Sequence, residues 1–476
     1  MLVSTAVMRD ILEPGLSLSA RSITHGLEWV GVASRKFATR FGLWSAGVLL
    51  SGCATYHALP LPEPAKLPDQ LSELHGAPAA RTTLDITTIE RLVLLNNPDL
   101  RRTRAEHKVA QAQMFEAGLL PNPALDGSLG YLISGVGDST AWTAGISEDI
   151  RALVTLAPRR AAAKAAAAQV DASLLWQEWL TVGQARLLVV DLVEGEQLAT
   201  VQRHSLDLQQ QRSNRMRQSV VDGNHDLATA APDLAAVADA QAASDDLQRR
   251  LLGQRHELAA LLGLSPDAVV PLPTRLDLPA PDMTEIHQQM ETLQRRRPDL
   301  VALQLGYQAQ EATLRAAVLA QFPTLSFGYS ASQDNSRVRN GGPAISFELP
   351  IFDRNQGNIA IAKATRQQLH DEYRDRLNAA HGEIDAMLAE QVQARAQLAA
   401  LQPPLRGATN DVAHAEHAWQ AGLIDLRGYV DLVAAAQSRQ SAAIALEQAV
   451  LEQQVAIDTL VGAGMPASLP QDVIAP

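Results

Sequence analysis

The chain has 476 residues, which is enough for two or three domains of ordinary size. Its 40 Lys and Arg residues against 52 Asp and Glu residues give a formal net charge of −12, and this argues against a nucleic-acid-binding protein, which needs a concentrated basic surface. Aromatic residues make up only 4%, so the apolar surface comes mainly from Ala, Leu and Val, a composition that suits closely packed helices.

The amino-terminal segment, residues 1–52, has the form of a bacterial secretory signal. A basic patch at 34–40 precedes a short apolar run, and small residues then lead to Cys53. The ending Leu50-Ser51-Gly52-Cys53 resembles a lipobox, so we expect Cys53 to become the first residue and to carry covalent lipid, with no other cofactor. An ordinary cleaved signal or a lone buried cysteine is the alternative. Since Cys53 is the single cysteine, an internal disulfide and a cysteine-rich zinc site are excluded.

The rest of the chain contains one pattern twice. Asn97-Pro98-Asp99-Leu100 recurs as Arg297-Pro298-Asp299-Leu300, 200 residues later, and Gly223 recurs as Gly422, 199 residues later. This period is far too long for a solenoid and indicates two homologous halves. The predicted domains are a Pro-rich lipidated linker at 53–84, a first repeat at 85–265, a connecting segment at 266–284, a second repeat at 285–465 and a tail at 466–476.

The sequence of each repeat predicts the same order of elements: a helix, two short strands, a long helix, a turn and a returning helix. About sixty helical residues would form a rod on the order of 90 Å long. Pro232 predicts a bend in the first returning helix, and Pro403-Pro404 predict a kink or unwinding in the second long helix. The predicted strands are 123–133, 142–150, 323–332 and 343–351, and the predicted long helices are 158–220 and 357–420.

The four strand segments alternate between apolar and small polar residues, so each has one face of each kind. Such strands fit either a sheet lying on a soluble core or a membrane barrel with a wet interior, and the export signal favours the barrel. Four strands cannot close a barrel, because open edges would leave backbone groups unpaired in hydrocarbon. Three copies would supply twelve strands around a ring. The expected fold is mostly α with a small β part: a trimeric 12-stranded β-barrel continued by a long α-helical tube.

This duplicated order resembles the TolC-like outer membrane factors, the outer membrane efflux protein family. The segments 117–123 and 321–325 are similar to the entries into the first strand of each repeat in that family. The stretch 349–360 resembles the strand-to-helix junction of the CzcC-like heavy-metal branch, in which Phe-Asp-Arg-Asn-Gln-Gly is characteristic. The junction residues here are Phe352, Asp353, Arg354, Asn355, Gln356 and Gly357.

The junction also has a physical interpretation. Pro350 ends the hydrogen bonding of the strand, Asp353 or Asn355 is expected to cap the next helix, and Gly357 is expected to ease the turn. We assign it no metal.

The resemblance implies a passive trimeric duct of a tripartite efflux system in the outer membrane of a Gram-negative bacterium. The expected partners are a periplasmic adaptor protein, an inner-membrane RND pump and outer membrane lipid, and the expected substrates are divalent heavy-metal cations. Gly223 and Gly422 lie at the hairpin turns that would contact the adaptor, and Asp431 aligns with an aspartate that narrows the periplasmic aperture. This chain departs from better-known members at Gly428 and Ile424, so its latch must differ.

Other chemistry has weaker support. His414 and His417 have a spacing that can hold a metal on a helix, but paired surface histidines are common, and we assign no metal ligands. No nucleophile elbow, His-Glu-x-x-His pair or phosphate loop occurs, so no catalytic residue is predicted and the chain is not expected to be an enzyme. The alternatives are a drug or polypeptide export duct of the same family and, in a different class, a soluble periplasmic coiled-coil scaffold or adaptor.

Overall fold

The computed structural model describes residues 56–61, 67–78, 83–276, 278 and 282–465. The chain divides into two units, 1–66 and 67–476, and every helix and strand described belongs to the second. The predicted signal segment, Cys53 and the tail at 466–476 lie outside the described residues.

The first repeat begins with two helices whose starts are encoded locally. The Asp85 carboxylate accepts a hydrogen bond from the backbone N–H of Thr88 and so caps α1, and the Asn97 side chain caps α2, in which Pro98 occupies the first turn. The entry region of this repeat is therefore divided into two helices just before Pro98. The elements are α1 (Ile86–Asn96), α2 (Pro98–Ala117), β1 (Ala124–Gly130), β2 (Ala141–Asp149), α3 (Ile150–Val221) and α4 (Leu227–Leu261).

The second repeat follows the same order with one more break in its entry region. Asp282 caps the first of these helices, and Pro298 again stands in the first turn of the helix that leads to the strands. The elements are α5 (Met283–Glu291), α6 (Leu293–Arg296), α7 (Pro298–Leu319), β3 (Leu325–Gln333), β4 (Arg339–Phe347), α8 (Gln356–Gln420) and α9 (Leu426–Val461).

Helix α3 begins eight residues earlier than the sequence predicts, whereas α8 matches its predicted range to within one residue. Helix α3 has 72 residues because Asp149, the last residue of β2, caps it directly, and the helix then continues through Pro158. Helix α8 has 65 residues and continues through Pro403 and Pro404, so the unwinding expected there is wrong. Both prolines are exposed, as are the residues four positions before them, so water can reach the carbonyl groups that lose their partners.

The four strands form one antiparallel sheet in the order β1-β2-β3-β4. The register places Leu125 opposite Ile146, Ile146 opposite Tyr329, and Phe327 opposite Ile345, so the apolar sides of all four strands share one face. That face is largely exposed, with Leu125 82% and Ile345 67% accessible. The opposite face carries small polar residues, among them Ser128, Thr143, Ser147, Ser326, Ser330, Ser332 and Ser346.

Strand β4 lies four residues earlier than predicted, at 339–347 instead of 343–351. Asp334 organises a tight hairpin turn: its carboxylate accepts hydrogen bonds from the backbone N–H groups of Ser336 and Val338, and Arg337 adopts a φ of 66°. The turn starts β4 at Arg339. Pro343 is tolerated inside the strand because, among the described strands, β4 pairs on one side only.

Aliphatic side chains form three buried clusters: one in each repeat, and a small third one in which Ala172 of α3 meets Val301, Ala302 and Leu305 of α7. The first joins α1, α3 and α4, and the second joins the entry helices of the second repeat to α8 and α9. Leu and Val dominate the first cluster, as the low aromatic content predicts. In the described part of the chain, none of the helices has the length and apolarity needed to cross a membrane.

Candidate functional site

The two long hairpins end in turns of the same design. Gly223 has a φ of 76° and Gly422 a φ of 72°, conformations that glycine adopts without steric cost. After each glycine the chain closes the turn with a hydrogen bond from a backbone N–H to a carbonyl five residues earlier: Asn224 to Ser219, and Leu423 to Ala418. The structure thus places both glycines at hairpin turns, as the sequence predicts.

Both turns leave apolar side chains uncovered. Val221 is 80% exposed and Leu227 70% exposed beside the first turn, and Leu423 is 79% exposed beside the second. Each returning helix then begins at an aspartate cap, Asp226 or Asp425. We call these two turns with their exposed apolar residues the hairpin tips.

Asp431 lies two turns into α9 and accepts a hydrogen bond from the guanidinium of Arg212 on α3. The same guanidinium donates to Asp233 on α4 at 2.5 Å, so one cation joins three helices. Asp431 is 60% exposed at its side chain, whereas Asp233 is only 2% exposed. Burial of Arg212 works against its charge, but the hydrogen bonds and charges of Asp233 and Asp431 outweigh this effect and raise its pKa.

This arrangement of Arg212, Asp233 and Asp431 is the polar latch. It is incompletely bonded, since Nε of Arg212 and Oδ2 of Asp233 are buried and have no partner in the described part of the chain. A buried ion pair with unsatisfied atoms contributes little net stability, but it becomes costly when one partner is removed. The polar latch can therefore align α3, α4 and α9 while adding little to the free energy that holds them together. Sequence reasoning found Asp431 and missed the other two, because nothing in the local pattern pairs residues this far apart.

An aromatic stack lies beside the latch. The rings of Trp419 on α8 and Tyr429 on α9 are stacked with centroids 5.0 Å apart, and the guanidinium of Arg215 lies 5.8 Å from the centroid of the Trp419 ring. Arg215 is close to one helical turn beyond Arg212, so α3 contacts the second hairpin through two arginines near the tips.

Helices α3 and α9 run antiparallel and are connected at four levels, which we call the α3–α9 seam. The indole N–H of Trp179 donates to the carbonyl oxygen of Thr459 at 2.8 Å. Nearer the tips, the Gln448 amide donates to Asp191 at 3.0 Å. At the third level, Nε2 of Gln437 lies 2.8 Å from Nδ1 of His204. The fourth level is the contact between Arg212 and Asp431.

The strand-to-helix junction is held by hydrogen bonds other than those predicted. Asn355 stands at the N-cap position of α8 but makes no side-chain cap, so the expectation that Asp353 or Asn355 caps this helix is wrong. Instead the Asp353 carboxylate accepts from the backbone N–H of Asn355, whose own amide donates to the carbonyl oxygen of Ala317 at the end of α7. Asn355 itself adopts a left-handed conformation with a φ of 62°, whereas Gly357, which was expected to ease the turn, lies inside α8.

The remaining junction residues have different surroundings. The Gln356 side chain accepts from the backbone N–H of Arg354 at 2.7 Å and so closes the turn locally. Phe352 is 91% exposed and lies on the rim of a cleft of about 600 Å³ beneath β2, β3 and β4. The sequence motif is thus an architectural corner that ties α8 to α7.

Among the residues that the structure describes, no group of three or more His, Cys, Asp or Glu side chains is placed to hold a metal ion. His414 and His417 both lie on α8 close to its tip end and are exposed.

Comparison with known proteins shows a sequence similarity that lies mainly in the second repeat. The family model for the outer membrane efflux protein matches residues 290–463. Outer membrane protein OprJ of Pseudomonas aeruginosa is 28% identical over 146 residues, and cation efflux system protein CusC of Escherichia coli K12 is 27% identical over 179 residues. These alignments cover 29% and 36% of this chain and 30% and 39% of the relatives, so the chain matches well under half the length of either.

The fold is similar over a much longer stretch. A crystal structure of CusC covers 87% of this chain and 100% of its own, with a TM-score of 0.62 at 20% identity. A membrane protein from Pseudomonas aeruginosa gives a TM-score of 0.66 at 19% identity, covering 87% and 98%, and the CmeC outer membrane channel of Campylobacter jejuni gives 0.67 at 15%, covering 88% and 97%. The mostly helical, duplicated architecture is therefore that of solved outer membrane efflux channels. The chain is thus similar to outer membrane efflux proteins in sequence over residues 290–463 and in fold over most of its length.

Proposed function

We propose that three copies of this chain assemble into a closed ring in the outer membrane of a Gram-negative bacterium and form a passive efflux duct. Each copy contributes four strands to a 12-stranded barrel and two long hairpins to a periplasmic tube. At 1.5 Å per residue, α3 alone would extend the duct by about 108 Å.

The sheet is the observation that carries this proposal. Its apolar residues share one face and its small polar residues the other, across all four strands and in one register. The apolar face is uncovered, and within the described residues the outer edges of β1 and β4 are unpaired. Pairing β4 of one copy with β1 of the next would satisfy both edges, direct the apolar face to lipid and enclose the polar face around water.

The proposal includes a lipid anchor on Cys53 and two protein partners, a periplasmic adaptor and an inner-membrane pump. Lipid on Cys53 would hold the amino-terminal end of each copy at the membrane, since acyl chains contribute about 0.8 kcal/mol per buried methylene. The exposed apolar residues of the hairpin tips would receive the periplasmic adaptor, which connects the duct to an inner-membrane RND pump. The polar latch would keep the tube closed until that contact forms.

The proposed cargo is divalent heavy-metal cations. The similarity to a protein named as a cation efflux system component supports this assignment. So does the half-exposed carboxylate of Asp431, because a ring of three such groups would favour cations over anions. The cation would pass through as substrate.

Two experiments test the proposal. The purified chain should migrate as a heat-dissociable trimer on gels and form ion-conducting pores in planar bilayers. A chain that stays soluble and monomeric would instead indicate a periplasmic scaffold. For the cargo, deletion of the gene should sensitise cells to zinc, cobalt, cadmium or copper more than to organic toxicants. Unchanged metal tolerance with increased sensitivity to organic compounds would reject the metal assignment and leave the duct in place.

A further inference from the structure

We infer that Asp191 and Glu452 share one proton, and that this proton makes the α3–α9 seam sensitive to pH. The inference rests on the proposed function, because the same seam ends at the polar latch. The shared proton would give the duct a second site that controls closure, near the middle of α3 and away from the hairpin tips.

Hydrogen bonds bring the two carboxyl groups together. The Gln448 amide nitrogen donates to Oδ1 of Asp191 at 3.0 Å and to Oε1 of Glu452 at 2.7 Å, so both oxygens are within reach of a single donor. Gln254 on α4 donates to the other oxygen of Asp191 at 3.2 Å. The Gln448 amide therefore holds the two carboxyl groups side by side, close enough for one proton to be shared between them. Three helices thus meet at one carboxyl pair.

The pair has amide donors but no cation. In the described part of the chain, neither Asp191 nor Glu452 forms an ion pair with Lys or Arg, and both are half-buried. Burial, and after it the hydrogen bond to Asp191, raises the pKa of the Glu452 carboxyl to about 7. Two carboxylates this close interact strongly, so the proton belongs to the pair and not to either residue alone.

The charged groups on the surrounding helices have other partners. On α3, Glu194 is buried between the like charge of Glu447 and the opposite charge of Arg275, and Arg186 is paired with Glu90. Arg255 on α4 is paired with Glu196, and Arg395 on α8 donates to Gln454.

The direction of the pH effect follows from the raised pKa. The unfolded chain releases the Glu452 proton near its ordinary value of 4.5, whereas the folded seam keeps it up to about pH 7. The stabilisation from the shared proton is therefore complete below about 4.5, falls between 4.5 and 7 and is absent above this range. At higher pH two carboxylates repel each other across the seam, so α3 and α9 separate more readily.

Amide hydrogen exchange on the full-length channel tests the inference. Protection in α3 at 185–197 and in α9 at 445–458, corrected for intrinsic exchange, should be about tenfold lower at pH 8.5 than at pH 5.5. This corresponds to one pKa unit, less than the full shift, because solvent screens half-exposed groups. Glu452→Gln keeps a donor for Asp191 and cannot ionise, so its protection should be high at both pH values.

Glu257→Gln is the matched control. The Glu257 carboxylate accepts from Gln184 across α3 and α4 at 2.9 Å without a second carboxyl group, so this variant should keep the wild-type pH dependence. Equal pH dependence in the wild type and in Glu452→Gln, or none in the wild type, would overturn the inference. Conductance in planar bilayers tests the proposed function independently of hydrogen exchange. A chain that forms no pore but keeps the pH-dependent exchange would refute the proposed function and leave the shared proton in place.

Discussion

The backbone of α3 at Gly183 touches the side chain of Thr459 on α9. A Cβ atom placed on Gly183 would lie 2.8 Å from Oγ1 and 3.0 Å from Cγ2 of Thr459. One turn earlier, the indole of Trp179 donates to the Thr459 carbonyl oxygen. The first long helix and the last helix therefore meet at a point where only glycine fits, and the rest of the seam extends from there toward the tips.

Gly183→Leu should destabilise the fold by about 1–3 kcal/mol, because an added side chain in a close-packed contact forces its neighbours to move. The midpoint of chemical unfolding measures the effect. Gly382→Ala on α8 is the control, since its Cβ would meet nothing within 4 Å and helix propensity alone should stabilise the chain by up to about 1 kcal/mol. Equal midpoints for the two variants would contradict the close approach.

Asp299→Ala should destabilise the second repeat by about 3 kcal/mol, because it leaves the Arg297 guanidinium buried without its carboxylate. Arg297 is 2% exposed at its side chain, bonds Asp299 at 2.7 Å and lies 4.9 Å from the Trp176 ring. Glu106→Ala removes an exposed ion pair with Arg102 and should cost less than about 0.5 kcal/mol. Similar losses in the two variants would show that burial of Arg297 does not decide the cost.

Phe327→Lys should reduce trimer assembly in membranes, since a lysine on a lipid-facing strand position costs about 2–4 kcal/mol at the bilayer centre. Ser332→Lys in the same strand places the charge on the polar face and should assemble normally. The fraction of heat-dissociable trimer on gels measures both. Normal assembly of Phe327→Lys with loss of Ser332→Lys would reverse the assignment of the two faces.

Removing the carboxylate of Asp431 should make the closed duct leak. Arg212 keeps its buried partner Asp233 in this variant, and the lost pair is exposed at Asp431, so it contributes up to about 1 kcal/mol. Asp431→Ala should therefore shift the opening equilibrium by at most about fivefold. Single-channel open probability in planar bilayers measures the shift. Asp246→Ala, which removes an exposed ion pair on α4, is the control, and open probability equal to that control would exclude the latch.

The cap of α1 should titrate on the acid side. Hydrogen bonds from Thr87 and Thr88 lower the pKa of Asp85 below its ordinary value of 3.8, so its stabilising effect is present above that value and is lost as the pH falls below it. Asp85→Ala should cost about 1 kcal/mol at neutral pH, whereas Asp85→Asn keeps a capping oxygen and should be nearly neutral.

Thermal unfolding between pH 2 and 7 separates these two variants. The acid-dependent part of the wild-type curve assigned to this cap should disappear in Asp85→Asn while stability at pH 7 is kept. If Asp85→Asn loses stability at low pH as the wild type does, the acid dependence belongs to other carboxylates.

Many of the turns and strands of this protein could be predicted from the sequence because they depend on local interactions. Gly223 and Gly422 marked two turns, and the alternation at Leu325, Phe327 and Tyr329 marked a two-faced strand. Each of these depends on neighbouring residues alone, so order along the chain was enough to predict it. The aspartate turn before β4 and the direct Asp149 cap of α3 were also local, but their signals are short and were missed.

Contacts between distant segments were decided only by the tertiary structure. The sequence indicated Asp431 through a motif, but the pairing of Arg212 with both Asp233 and Asp431 exists because three helices cross at one level. The Asp191–Glu452 pair likewise depends on the antiparallel register of α3 and α9, which is set by close packing at Gly183. A helix sequence determines which residues share a face, and only packing against another helix determines what that face meets.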